Sequence, residues 1–550
     1  MTVAQKSLFT EELDEVLSKE IQAVGDLSET NVNKVESITN TLIGAYKSVG
    51  AKHSKTTKIV PPKRSRIWKD DRVKQQNQAK NRAKYEYRHQ PTRSNKTAMN
   101  RESKALTKVM CKVRKELFRG DMTQITTHKD MSRLTKYAKN GKMREIGIIK
   151  DTTGNLATSP EAAIENLCVA HFPKAKELKA TDEQEYIQSN HASLGTRRTK
   201  TYSWITDEII KKALRSFQGN KAPGLDGITP NVLKLSGKIA ISTLKTLFNM
   251  LVTLGYTPSQ LRTSKVIFIG KADKDDYTLP KSFRPISLTP FIFKLLERVA
   301  SWFIIHKTLK DNPLNERQHA YRTGKSTESA ISQVLNQIEK GLLKRSYTLA
   351  CFIDISSAFD RLDPKQATRA LISKGVPKCI ANWYENYLTM RFLDITIKER
   401  TVRKSTTIGC PQGGVLSTIL WNVAFDNLLN LFKNDKVICV GYADDGSLLL
   451  SHDNLSYLYL KLNEALAKCQ KWAEEFGLDI SPEKTKYMLF TKKKKYRIPP
   501  SGLTLKGMKI EKVKSFKYLG MHVDDKLSWT EHISTKIESA SKLIFFFFFF

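Results

Sequence analysis

Three carboxylates stand in apolar surroundings where a chain tolerates charge poorly. Asp354 interrupts "LACFIDISSAFD", in which residues 349–355 are otherwise apolar. Such a run reads as a buried strand, and a charge inside one needs a partner. Asp444 and Asp445 lie side by side in "VICVGYADDGSLLL", between the apolar runs 437–440 and 448–450. Asp-Gly between apolar runs signals a hairpin, so turn chemistry alone could account for Asp445. A divalent metal accounts for all three acids. Mg2+ takes oxygen ligands and keeps several waters, so a few carboxylates suffice when substrate phosphates supply the rest. Phosphoryl transfer with two ions about 4 Å apart activates an attacking hydroxyl and neutralises a leaving pyrophosphate. Strand neighbours alternate faces, so the hairpin tip is expected to aim Asp444 into the groove and Asp445 elsewhere.

Other residue types fit a nucleotide. Phe359 follows Asp354 by five positions, where the strand turns into a helix. A ring there could lie under a sugar and exclude a 2′-hydroxyl, or simply fill the core. In "GCPQGGVLSTILWNVAFDNLL", Gly409, Gly413 and Gly414 permit close backbone approach. That loop feeds the start of an apolar helix, a place suited to an anion, and Gln412 offers amide hydrogen bonds. Lys271, after "VIFIG", and Arg284, in "SFRPIS", are cations able to meet a triphosphate.

The elements that must position these groups read as strands alternating with helices. "KVIFIG", "YTLACFIDI", "VICVGYA", "GSLLL" and "TKYMLF" are strand candidates. "TDEIIKKALRSFQG" is a helix capped by Thr206 and closed by Gly219, and "NLSYLYLKLNEALAKCQKWAEEFG" is a longer helix stopped at Gly477. "FIFKLLERVASWFII" is broken by Lys294, Glu297 and Arg298 and reads as an amphipathic helix, too short and charged to span a bilayer. The pattern predicts an α+β sheet with helices on one face. Residues 1–50 predict short helices, with Leu8, Leu13, Val16, Leu17 and Ile21 at helical spacing.

Formal net charge is +37, from 92 Lys+Arg against 55 Asp+Glu in 550 residues. Such an excess is costly self-repulsion unless a polyanion neutralises it, and nucleic acid is the natural partner. From 61 to 120 there are 19 Lys/Arg and 5 Asp/Glu. Trp68, Tyr85 and Tyr87 are interleaved there and could stack on bases. The seven cysteines show no C-x-x-C spacing, which disfavours zinc, and an odd count without a signal peptide fits an intracellular compartment. No folding rationale accounts for the phenylalanine run at 545–550.

These stretches, in this order, resemble the reverse transcriptase of LINE-type (non-LTR) retrotransposons: "NKAPGLDGITP", "SFRPISLTPFIFKLLERV", "NERQHAYRTGKSTESAI", "FIDISSAFD", "GCPQGGVLSTILWN", "GYADDGSLLL", "DISPEKTKYMLF" and "FKYLGMHVDDKLSW". The resemblance runs from about 219 to 529. It implies a right-hand polymerase, α+β, with fingers and palm at 200–526, a mainly helical basic N-terminal extension at 1–199, and the start of an incomplete thumb at 527–550. It implies RNA-directed DNA synthesis with Mg2+, or Mn2+ in its place, at a metal site of Asp354, Ile355, Asp444 and Asp445. Lys484 would donate a proton to the leaving pyrophosphate. Lys271, Arg284, Phe359, Gln412 and Gly413 would bind the nucleotide. Phe516, Tyr518, Leu519 and Gly520 would form a primer grip. Partners would be an RNA template, a DNA primer or target and deoxynucleoside triphosphates, with no membrane and no zinc. The setting would be a nuclear and cytoplasmic ribonucleoprotein, for which "KRSR" (63–66) is a weak address. Ser417-Thr418 replaces a common Ser-Pro, and Ser481 a common Asn. No upstream endonuclease is present in the chain. Two other readings remain open: a truncated relic or maturase-like RNA-binding protein without catalysis, and an RNA-dependent RNA polymerase, against which Phe359 argues.

Overall fold

The computed structural model describes residues 3–53, 66–123, 146, 149–271, 274, 276–397, 400–500 and 502–549. The chain forms two compact units, one of residues 1–54 with 145–529 and the other of residues 55–144 with 530–550. The sequence expectation cut the chain at 199/200 and 526/527; compactness divides it differently. Helices Val3–Gln22 and Val32–His53 bury Leu13, Leu17, Val35, Leu42 and Val49 in the same core as the strands that follow.

The larger unit holds two main sheets. In the first, Tyr347–Ser356 is central. Asp445–His452 pairs antiparallel on one side of it and Lys486–Phe490 antiparallel on the other. Ile438–Tyr442 extends the sheet beyond Asp445–His452, Glu511–Lys512 lies parallel to Lys486–Phe490, and Asp479–Ile480 pairs with the end of the central strand. The second sheet has the order Lys176–Glu177, Arg400–Thr406, Arg391–Ile397, Thr263–Gly270, Phe283–Leu288. Only "KVIFIG" of these five was legible as a strand.

Period-two alternation in the central strand sorts its side chains onto two faces. Leu349, Cys351, Ile353 and Ile355 face the main core, against Leu458, Leu462, Leu466 and Trp472 of the Leu455–Glu475 helix. Ala350 and Phe352 face a second core built from Ala330, Ile331, Val334 and Ile338 of the Thr327–Leu343 helix. The sheet is therefore covered on both faces, which corrects the expectation of helices on one face. The Thr327–Leu343 helix carries its own apolar stripe and claims the side opposite the first.

The Phe291–Phe303 helix is also more buried than its charges suggest: Glu297 is fully buried and Lys294 nearly so. Helix Asp207–Ser216 is capped as expected, with Thr206 accepting a hydrogen bond from the Ile209 amide, but Phe217 rather than Gly219 ends it.

The smaller unit contains helices Asp71–His89 and Arg93–Thr123, whose Val73, Leu106 and Val113 form an apolar seam. Trp68 packs on that seam instead of presenting a free ring, whereas Tyr85 is exposed. The segment "KRS" at 63–65, and the side chains of the phenylalanine run, lie outside the described residues. No helix among the described residues is long and apolar enough to cross a membrane.

Candidate active site

The strand register sets the site. Asp445 is the direct partner of Asp354 across the antiparallel pair, and of Tyr442 on its other side. Opposed residues share a face, so the Asp354 and Asp445 side chains stand on the face of Phe352. The hairpin turn is Ala443-Asp444, not Asp445-Gly446. Ala443 takes φ 54°, and Asp445 already belongs to the strand. The turn-chemistry reading of Asp445 thus fails. The left-handed Ala443 is held from outside the hairpin: the Trp421 indole Nε1 donates to its carbonyl at 2.8 Å.

The acids strain one another. Burial pushes the Asp445 carboxyl up to about 7, with the charges of Asp444 and Asp354 adding to it. Asp444 is also raised, chiefly by burial and then by Asp354, while Arg284 and Lys271 oppose the rise. Solvent reaches both side chains, yet the protein around them is dense enough to penalise charge. Crowded carboxylates of like charge are what a bound cation relieves. Among the described residues no three His, Cys, Asp or Glu side chains are grouped closely enough to hold a metal ion by themselves.

Cations converge from three elements. The Lys484 ammonium lies 3.4 Å from Asp354 Oδ2. Its turn is fixed by Ser481, whose amide donates to the Asp354 carbonyl at 3.0 Å and whose hydroxyl accepts from the Lys484 amide at 3.3 Å. The Asn-to-Ser departure therefore keeps a working turn. Lys271 ends strand Thr263–Gly270 and Arg284 sits on its neighbour, paired with Ile269. Burial lowers Lys271, and the charges of Arg284, Lys274 and Lys484 lower it further.

Phe359 stacks on Trp421 with ring centroids 5.6 Å apart, so the ring under the site and the indole that holds the Ala443 turn are one stack. Gln412 does not hang free. Its side-chain amide nitrogen donates to Asp360 Oδ1 at 2.8 Å, and its backbone carbonyl accepts from the Ser287 backbone amide at 2.9 Å. The loop lies so close to its neighbours that a Cβ on Gly409 (φ +74°) would meet the Asp360 carbonyl oxygen at 2.5 Å, and one on Gly413 (φ +116°) the Ser287 carbonyl oxygen at 3.1 Å.

A cavity joins Asp354, Asp445 and Lys484 to Phe516, Tyr518, Leu519 and Gly520. The last four belong to a hairpin, Ser515–Tyr518 with Met521–Asp524, turning through Leu519 (φ 46°) and Gly520 (φ 88°). Phe516 stacks on Phe352 at 4.9 Å, and Tyr518 packs against the same ring, tilted, at 5.0 Å. Ile355 points into the main core, so only its backbone is available to the site.

Two residues escaped the sequence reading. Glu297, fully buried, accepts from the amides of Val415 (3.1 Å) and Leu416 (3.3 Å) and from the Tyr384 hydroxyl (3.3 Å). It pins the glycine loop to the helix Ser417–Asn430. Tyr321, at φ 54°, keeps an exposed ring, and the protein packed around its phenol, with the Asp444 charge second, raises it. An acid in an apolar run after "RPIS" was the only signal for the first; nothing in the local sequence marks the second.

Residues 269–523 match the family described as reverse transcriptase (RNA-dependent DNA polymerase). The chain is 26% identical over 450 residues to the probable RNA-directed DNA polymerase from transposon BS of Drosophila melanogaster, covering 79% of this chain and 49% of that protein. It is 26% identical over 479 residues to the RNA-directed DNA polymerase from mobile element jockey of the same species, covering 79% and 51%. The jockey polymerase of Drosophila funebris is 27% identical over 340 residues, covering 60% and 36%. The chain thus spans about half the length, or less, of these relatives.

Proposed function

We propose that the chain, whose residues 269–523 match the reverse transcriptase family, is the RNA-directed DNA polymerase of a non-LTR retrotransposon. It would extend a primer 3′-hydroxyl with deoxynucleotides on an RNA template. The six-stranded sheet would be the palm and the five-stranded sheet the fingers. The observation that carries this reading is the register that opposes Asp354 and Asp445 beside Asp444, with Lys271, Arg284 and Lys484 gathered near them. The mutual strain of the acids fits a divalent cation, and Mg2+ commonly takes a few carboxylates with substrate phosphates and water completing its ligands.

Asp354, Asp444, Asp445 and the Ile355 carbonyl are the groups that would hold Mg2+ or Mn2+. Such an ion would supply activation of the 3′-hydroxyl and neutralisation of the triphosphate. Lys271 and Arg284, whose charges act on Asp444, orient the triphosphate. Phe359, backed by Trp421, blocks the sugar edge where a 2′-hydroxyl would sit. Gln412 and Gly413 wall the nucleotide pocket, with Asp360 and the Ser287 backbone holding them. Lys484 moves from Asp354 to the leaving pyrophosphate and gives it a proton. Phe516, Tyr518, Leu519 and Gly520 seat the primer end.

The test is primer extension on an RNA template with Mg2+, comparing deoxynucleotides with ribonucleotides and running Asp354→Asn and Asp444→Asn beside the wild type. Loss of several kcal/mol of charge stabilisation lowers the rate by about a thousandfold in each variant. If the wild type binds RNA but extends nothing, the polymerase reading falls and an RNA-binding scaffold takes its place.

A further inference from the structure

The end of the six-stranded sheet remote from the carboxylates carries a charge the reaction does not use. Tyr347, His452 and Phe490 mark that end by register. Tyr347 is seven residues from Asp354, or about 23 Å at about 3.3 Å per residue. The strand Lys486–Phe490 runs out there into Lys492, Lys493, Lys494, Lys495, Tyr496 and Arg497, five cations in six residues without an acid. Lys344 and Arg345, both exposed, enter the central strand at the same end.

Lysine runs are commonly solvated and indifferent. This one is organised. Lys493 lies 4.3 Å over the Tyr347 ring and 3.9 Å from Asp453. Tyr496 packs edge-on against Tyr347 at 6.1 Å and carries Lys512 at 5.5 Å from its ring, yet stays 42% exposed. The aromatic contacts fix the base of the segment. Lys492, Lys494, Lys495 and Arg497 remain exposed with no carboxylate partner among the described residues. Holding like charges together costs energy that a polyanion returns. An exposed ring among the cations suits an unstacked base better than a duplex.

We propose that this remote patch, Lys492–Arg497 with Lys344 and Arg345, is a second nucleic-acid surface that binds single-stranded RNA outside the polymerase cleft. The choice of RNA rests on the reverse transcriptase reading, because an RNA-templated enzyme must manage more single strand than its cleft holds. The binding itself does not depend on the carboxylates.

The experiment uses the full chain and a labelled 30-nucleotide oligouridylate, with affinity measured from 50 to 300 mM KCl. The variants are the triple Lys492→Ala/Lys494→Ala/Lys495→Ala and the single Tyr496→Ala. Three lost phosphate contacts make the slope of log K against log salt shallower by about 2, from about 0.7 per contact on single strands. Affinity of the triple variant near 0.1 M salt falls at least about tenfold, and Tyr496→Ala also weakens binding, while thermal midpoints stay put. Unchanged affinity and slope in the triple variant overturn the proposal. An equal loss toward duplex DNA of the same length overturns the assignment to single-stranded RNA. Because binding is read without synthesis, failure here is separable from failure of the polymerase reading.

Discussion

Asp445 faces Asp354 across the strand pair, and its carboxyl stands near 7 because burial and two neighbouring charges oppose ionisation. Its folded pKa lies above its unfolded value, so its contribution to stability is full at low pH and is lost as pH rises through about 7. In chelator, the wild type therefore loses thermal stability between about pH 4 and about pH 7. Asp445→Asn flattens that part of the profile and melts higher than wild type at pH 8, by scanning calorimetry. Equal slopes for the two proteins would remove the crowding on which the metal assignment leans. Phe359 makes a second residue-scale prediction. Its ring stacks on Trp421 at 5.6 Å, so Phe359→Ala opens space at the sugar without moving the indole that holds Ala443. Discrimination of a single group by shape amounts to about 1–3 kcal/mol. Ribonucleotide use should rise about 10- to 100-fold relative to deoxynucleotide use in single-turnover extension. An unchanged ratio would make Phe359 a core residue only.

The glycine loop and the helix after it act as one element because Glu297 accepts from two consecutive amides at their junction. Glu297→Ala leaves those buried donors unpaired, at about 1–3 kcal/mol each. Denaturant unfolding should show a loss of about 2–5 kcal/mol, and the Michaelis constant for the nucleotide should rise as Gln412 and Gly413 loosen. Val415 bonds Oε2 and Leu416 bonds Oε1, so Glu297→Gln keeps one acceptor of the two and restores only part of both; a loss as large as that of Glu297→Ala would mean that charge, not acceptance, is needed. This element also shows where sequence reading stops. Asp354 was legible because it violates an apolar strand, and Asp444 and Asp445 because they stand side by side between two apolar runs. The hairpin position was not, since Asp-Gly is the stronger local turn signal and the deciding bond comes from Trp421, 22 residues away. Strands Arg391–Ile397 and Arg400–Thr406 were missed because "RFLDITI" and "RTVRKST" mix charge into the alternation. Glu297 looked like the wet side of an amphipathic helix, because a buried acid differs from an exposed one only in partners supplied by distant chain.

Across the whole molecule, the first helix is tied to the site-bearing unit by more than apolar contact. Asp14 accepts from the amides of Ile239 and Ala240 at 3.1 and 3.0 Å, so a residue more than 220 positions away caps the helix Lys238–Leu254, whose own cap position is Gly237. That helix buries Leu244, Leu247, Phe248 and Leu251 in the core that also takes Phe9, Leu13 and Leu17. A Gly at the cap offers no side-chain acceptor, and an acid at a helix N-terminus both bonds the orphan amides and suits the dipole. Asp14→Ala should therefore destabilise the protein by about 1 kcal/mol, with Asp14→Asn, which has one acceptor oxygen in place of two, retaining one of the two bonds. Removing residues 1–53 is a different order of change, because it strips side chains that are fully buried. The shortened chain should aggregate or lose protection of the Lys238–Leu254 helix in hydrogen exchange, and should lose primer extension with it. A shortened chain that stays folded and active would show that the first two helices ride on the polymerase unit without supporting it, and the expected division near residue 199 would regain its force.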